Sequence, residues 1–112
     1  MSQITTHILD TTKGRPAAGV TIALHEQAGD GWREIARGIT NADGRIPDLL
    51  PQETHLTPGM YQLKFFTQEY FGRDGLTSFY PWVEICFTVA DAAHYHVPLL
   101  LNPFGYSTYR GS

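Results

Sequence analysis

The chain has 112 residues, 42% of them hydrophobic and 17% charged, a balance that points to one globular domain, residues 1–112, and excludes disorder. Its net charge of −3, with no Lys/Arg cluster, excludes the electrostatic footprint of a nucleic-acid or anionic-membrane partner. The single cysteine, Cys86, rules out an intrachain disulfide framework and a multi-cysteine zinc site, and fits a reducing compartment.

The opening MSQITTHILD has no basic stretch followed by an apolar one, and no run approaches the roughly 18 apolar residues of a membrane span, so a cytoplasmic protein is expected. Ile4 to Leu9 is β-branched and extended, with Ile4, Thr6 and Ile8 on one face and Thr5, His7 and Leu9 on the other. Turn formers fill Asp10 to Pro16. Val20, Ile22 and Leu24 then mark a second strand, and Gly29-Asp30 turns the chain. Trp32 to Thr40 is extended with mixed faces, as on an edge. Asn41-Ala42-Asp43-Gly44 carries the Asp-Gly hairpin signal, so Arg45 and Ile46 are predicted to begin a return strand that Pro47 cuts short.

Asp48 to Thr57 shows no period. Met60 to Phe66 reads as a strand buried on both faces, and Thr67 as the N-cap of a short helix ending before Gly72. Val83, Ile85, Phe87 and Val89 alternate with Glu84, Cys86 and Thr88 in the cleanest amphipathic strand, on which Cys86 reads as structural. The chain closes with a hairpin: His94 to Leu101, a turn at Asn102-Pro103-Phe104-Gly105, and Tyr106 to the terminus. There Tyr95, Val97, Leu99 and Leu101 face a core, while His94, His96, Pro98 and Leu100 take the other face, with Pro98 calling for an edge or an irregularity. About eight short strands and one short helix predict an all-β fold, an antiparallel β-sandwich.

Few residues carry chemistry by type. His25 and His55 read as surface imidazoles, whereas His7 is mid-strand on a non-core face and can act as a base near neutrality. His94 and His96, two apart on one face, can chelate, but no Cys, Asp or Glu stands in supporting spacing, so no metal is expected. Arg45 and Arg110 offer planar donor forks. Ser107, Thr108 and Ser112 lack the G-x-S-x-G context of a serine nucleophile.

Taken together, T-H-I-L-D at 6 to 10, D-G-R at 43 to 45, and H-Y-H-V-P-L-L-L followed by P-F-G-Y-S-T-Y-R-G-S at the end resemble the transthyretin-like proteins, and within them the 5-hydroxyisourate hydrolases. The resemblance spans Ile4 to Ser112. Its most specific part is the terminal Y-R-G-S, which the hormone-carrying transthyretins lack, as they lack the residue types of His7, Arg45 and His96. It implies a homotetramer, a dimer of dimers paired through late strands, with active sites at the mouths of a channel. It implies opening of the cyclic amide of 5-hydroxyisourate, in urate catabolism, to 2-oxo-4-hydroxy-4-carboxy-5-ureidoimidazoline, without metal or organic cofactor. By the same resemblance His7, Arg45, His96 and Ser112 are the catalytic residues, one imidazole taking the proton of water, and Tyr109 and Arg110 shape the substrate wall. The alternative is a transthyretin-type carrier of an aromatic ligand in the same channel.

Overall fold

The computed structural model describes residues 2–112. Among them the chain forms eight strands and one helix: β1 (Ile4–Asp10), β2 (Arg15–Pro16), β3 (Thr21–Ala28), β4 (Gly31–Ile39), β5 (Gly59–Phe65), α1 (Thr67–Gly72), β6 (Val83–Val89), β7 (Tyr95–Asn102) and β8 (Gly105–Thr108). The strands make two four-stranded sheets, ordered β2-β1-β7-β8 and β4-β3-β5-β6. Ile4, Ile8, Leu99 and Leu101 of the first sheet meet Ile22, Leu24, Leu63, Phe65, Val83 and Val89 of the second in a core of fully buried side chains. The side-chain alternation of a pleated strand therefore decides what reaches solvent. Ile4, Thr6 and Ile8 of β1 and Tyr95, Val97 and Leu99 of β7 are buried, so Thr5, His7, His94 and His96 stand on the outer face of the first sheet.

The sandwich with its short helix is as expected, but the first sheet is mixed. β1 and β7 run parallel, with Thr5 opposite His96 and His7 opposite Pro98. Two strands from opposite ends of the chain have no hairpin to impose antiparallel pairing, and their joint apolar faces fix the register instead. The tally of eight also has a different membership. Residues 45 and 46 form no strand, while the stretch read as turn formers supplies β2, paired to β1 at Leu9–Pro16 and Asp10–Arg15.

Asn41 accounts for the first difference. Its side-chain Oδ1 accepts the backbone N–H of Asp43 (2.9 Å) and of Arg45 (3.1 Å), curling the loop on itself so that the chain leaves β4. Gly44, at φ +73°, then offers its carbonyl to the N–H of Ile8 (3.0 Å). A Cβ there would fall 2.5 Å from the Ile8 carbonyl oxygen, so glycine is required. The D-G-R turn thus docks onto β1, as a single bridge between His7 and Arg45.

Thr67 is the first residue of α1 rather than its cap: it is 1% exposed and Phe66 precedes the helix without a side-chain cap bond. The helix holds by packing Tyr70 and Phe71, and Tyr70 donates its hydroxyl hydrogen to Asp10 Oδ2 at 2.7 Å. Cys86, read as structural, is exposed on the outer face of the edge strand β6. No helix among the described residues is long and apolar enough to cross a membrane.

Candidate active site

A cleft of about 710 Å³ opens over the outer face of β1 and β7, and its wall includes Thr5, His7, Arg45, His94, His96, Tyr109, Gly111 and Ser112. Four segments far apart in the chain supply these groups. β1 gives Thr5 and His7, the docked 41–47 loop gives Arg45, β7 and the residue before it give the other imidazoles, and the terminal segment closes the far side.

The terminal segment reaches the cleft because of Pro98. Its carbonyl is taken by the Thr108 hydroxyl (2.7 Å), on the side where β8 runs, and its missing N–H would have pointed the same way. The β7–β8 ladder therefore stops at Leu99–Thr108, which reconciles a proline with a central strand. Tyr109 and Arg110 swing off the sheet, and the chain returns at Gly111, whose N–H donates to the His96 carbonyl at 2.8 Å in an isolated bridge. A Cβ on Gly111 would stand 2.5 Å from His96 Cδ2 and 3.2 Å from Pro98 Cγ. Only glycine lets the backbone lie this close to the imidazole, and Ser112 follows directly into the cleft.

The hydrogen bonds sort the two predicted bases. Arg45 Nη2 lies 3.4 Å from His7 Nδ1, a long contact that makes Nδ1 the acceptor and leaves the ring proton of His7 on Nε2. Burial, and next the Arg45 guanidinium, hold His7 below the usual histidine range, partly offset by the backbone and carboxylate of Asp43. His96 is also held low, by burial first, then by Arg45, His94 and His7, with the Thr5 backbone opposing. Both rings are therefore uncharged near neutrality, the form in which an imidazole can accept a proton.

Thr5, which the sequence placed on the right face without assigning it a part, sits at the centre of the remaining contacts. Its Oγ1 is 2.7 Å from His94 Nε2 and 2.8 Å from His96 Nδ1. Period-two alternation put Thr5 on the face of His7, but only the parallel register brings it beside His96. Arg110 departs from expectation. Its guanidinium stacks over the Tyr95 ring at 4.4 Å, with Nη2 3.5 Å from the His94 carbonyl, and it lines a separate cleft of about 320 Å³ beside β6 instead of the first. Tyr109 borders both clefts. The described residues hold no group of three or more His, Cys, Asp or Glu side chains suited to a metal.

Chemically, the cleft joins a fixed cation, imidazoles and hydroxyls, with no carboxylate side chain on its wall. That set suits an electron-rich planar ring and a reaction that develops negative charge on oxygen. The sequence matches the family described as HIUase/transthyretin over residues 4–111. The chain belongs to the HIUase/transthyretin family. Among its relatives, the mouse 5-hydroxyisourate hydrolase is 46% identical over 114 residues, covering 99% of this chain and 96% of the mouse protein. The structure of Klebsiella pneumoniae 5-hydroxyisourate hydrolase superposes with a TM-score of 0.86 at 39% identity, over 97% of this chain and 98% of that one. Sea bream transthyretin in complex with thyroxine gives a TM-score of 0.90 at 34% identity, over 98% and 95% of the two chains. Within this family backbone similarity does not separate hydrolase from carrier; the side chains in the cleft must.

Proposed function

We propose that this protein is a 5-hydroxyisourate hydrolase, with residues 1–112 acting as one hydrolase domain. The observation that carries the reading is the convergence of His7, Arg45, His96 and Ser112 on one cleft, in a chain whose relatives in mouse and in Salmonella bear that name. Water attacks the cyclic amide carbonyl of 5-hydroxyisourate, forming a C–O bond, and the ring C–N bond then breaks. His96 takes the water proton. His7, already accepting from Arg45 through Nδ1, presents Nε2–H as a hydrogen-bond donor to the substrate, and the protonated His96 then gives its proton to the departing nitrogen, which leaves both rings as they began. Arg45 orients the ring and stabilises the oxygen as it becomes negative, Ser112 holds the water, and Tyr109 forms part of the wall. Arg110, stacked on Tyr95, shapes that wall from behind by fastening the terminal segment. The residues supply acid, base and oxyanion stabilisation, so the step needs no metal or organic cofactor.

The assembly we propose is a homotetramer, a dimer of dimers joined through β6 and β8, in a cytoplasmic setting. Both strands are open sheet edges, and Phe104 (67% exposed) and Tyr106 (43%) stand at the β8 hairpin uncovered. A particle four times the 12.5 kDa chain in light scattering supports this assembly, and a monomer overturns it. A carrier of apolar aromatic ligands fits the cleft less well, because such a ligand has no use for the guanidinium and three imidazoles that line it.

The test mixes the protein with 5-hydroxyisourate produced in place from urate by urate oxidase and follows its ultraviolet absorbance. Decay faster than the spontaneous rate, lost in His96→Ala, supports the hydrolase. Spontaneous decay in the presence of folded protein overturns it.

A further inference from the structure

We propose that Thr5 is a positioning residue for His96: its hydroxyl, shared with His94, holds the proton of the His96 ring on Nδ1 and so leaves Nε2 free to accept the proton of water. The inference rests on the hydrolytic reading, which decides the direction of the two hydrogen bonds; the contacts themselves do not depend on it.

A threonine hydroxyl has one hydrogen to give and two lone pairs to receive with. Oγ1 of Thr5 stands within hydrogen-bond distance of two ring nitrogens, His94 Nε2 at 2.7 Å and His96 Nδ1 at 2.8 Å. It can donate to only one of them. If it donates to His96 Nδ1, the ring proton of His96 moves to Nε2. The ring then has no nitrogen left to act as a base. If it donates to His94 Nε2, it receives from His96 Nδ1–H, the same two contacts are kept, and Nε2 of His96 is bare.

That second arrangement also survives the reaction. When Nε2 takes a proton, Nδ1–H keeps its acceptor and nothing must reorient, the advantage of a site organised in advance. Among the described residues no protein group bonds His96 Nε2, whereas Nδ1 is occupied by Thr5. The His94 and His96 ring centroids are 6.2 Å apart with the planes inclined at 27°, and the hydroxyl bridges the two rings. His94 thereby acquires a use. It is the acceptor at the end of the chain His96–Thr5–His94.

The placement of Thr5 comes from backbone pairing. Parallel register sets it opposite His96, on the outer face of β1, one alternation from His7. Valine has the same shape and an equal or better strand preference, so Thr5→Val removes the hydroxyl with little change in the sheet.

Two measurements test the inference on the whole protein. Nitrogen-15 NMR of histidine-labelled protein near neutral pH, with His96 assigned by comparison with His96→Gln, reads the tautomer directly. The expected result is a protonated Nδ1 and bare Nε2 in the wild type, with a mixture of tautomers or the Nε2–H form in Thr5→Val. In turnover, Thr5→Val lowers kcat about tenfold with KM within about twofold, since a lost tautomer preference acts on the base and not on the contacts to substrate. Thr5→Ser, which keeps the hydroxyl, restores kcat to within about threefold of wild type.

A wild-type His96 with its proton on Nε2, or a Thr5→Val protein unchanged in tautomer and kcat, overturns the proposal. Wild-type protein that leaves 5-hydroxyisourate at its spontaneous decay overturns the hydrolase reading instead, while the NMR result still decides what Thr5 does. Should Thr5→Val not fold, the wild-type tautomer and the Thr5→Ser kinetics decide it without that variant.

Discussion

Gly111→Ala tests the account of how the terminal segment enters the site. The added methyl would stand 2.5 Å from His96 Cδ2 and 3.2 Å from Pro98 Cγ, so relief to an ordinary contact requires a shift approaching about 1 Å. Neither neighbour gives easily. The imidazole is held through Nδ1 by Thr5, and Pro98 is a closed ring on a central strand. The terminal segment moves instead, loses the Gly111 N–H to His96 carbonyl bond of 2.8 Å, and takes Ser112 with it. A displacement of about 1 Å at a reacting group can cost on the order of 10²-fold in rate, and that is the loss expected in kcat/KM.

Stability moves far less, because the segment from Tyr106 to Arg110 is exposed and only one bridge is broken. The lost bond is worth about 1 kcal/mol, or a melting shift of roughly 4 °C for a chain of this size. The assay is 5-hydroxyisourate decay with urate oxidase as the source, beside thermal denaturation. Gly105→Ala is the control: an added Cβ there meets Asn102 only at 3.6 Å, an ordinary contact. Gly111→Ala protein with kcat/KM within about threefold of wild type would refute the close-approach argument, and a melting loss far beyond roughly 4 °C would assign any defect to folding.

Three further outcomes are expected. His7→Ala, Arg45→Ala and His96→Ala each lower turnover by about 10²-fold or more with the fold kept, and near-normal kinetics in any one removes that residue from the mechanism. Because His7 and His96 are both held below the ordinary histidine pKa, kcat/KM is level through neutrality and falls only as pH drops through the lowered values, when the rings become charged. A profile still rising with pH above about 7 contradicts that assignment. Tyr70→Phe leaves Asp10, 1% exposed, without its 2.7 Å donor and costs about 1–2 kcal/mol in urea unfolding, while activity is unchanged because the pair lies outside the cleft.

Much of this protein could be read along the strand. Alternation in Ile4 to Leu9, in Val83 to Val89 and in Tyr95 to Leu101 placed the core faces correctly, because side-chain direction in a pleated strand depends only on position along it. The same local rule put Thr5, His7, His94 and His96 on the outer side. His7, Arg45, His96 and Ser112 were named together only through the likeness of whole motifs, since each residue alone has an ordinary explanation.

What tertiary structure decided is whatever depends on pairing between distant segments. The parallel β1–β7 register sets Thr5 against His96, and no local pattern encodes the partner of a strand about ninety residues away. Asp43-Gly44-Arg45 has the sequence of a hairpin, yet the Asn41 side chain and the Ile8 N–H draw it onto β1, which is how Arg45 reaches His7. Arg110 had the chemistry of a site residue, but the aromatic face of Tyr95 claims it. The amino-acid order settled which side chains face outward; the cleft exists because long-range backbone pairing brought four such segments to one place, and a contact between segments is a property of neither alone.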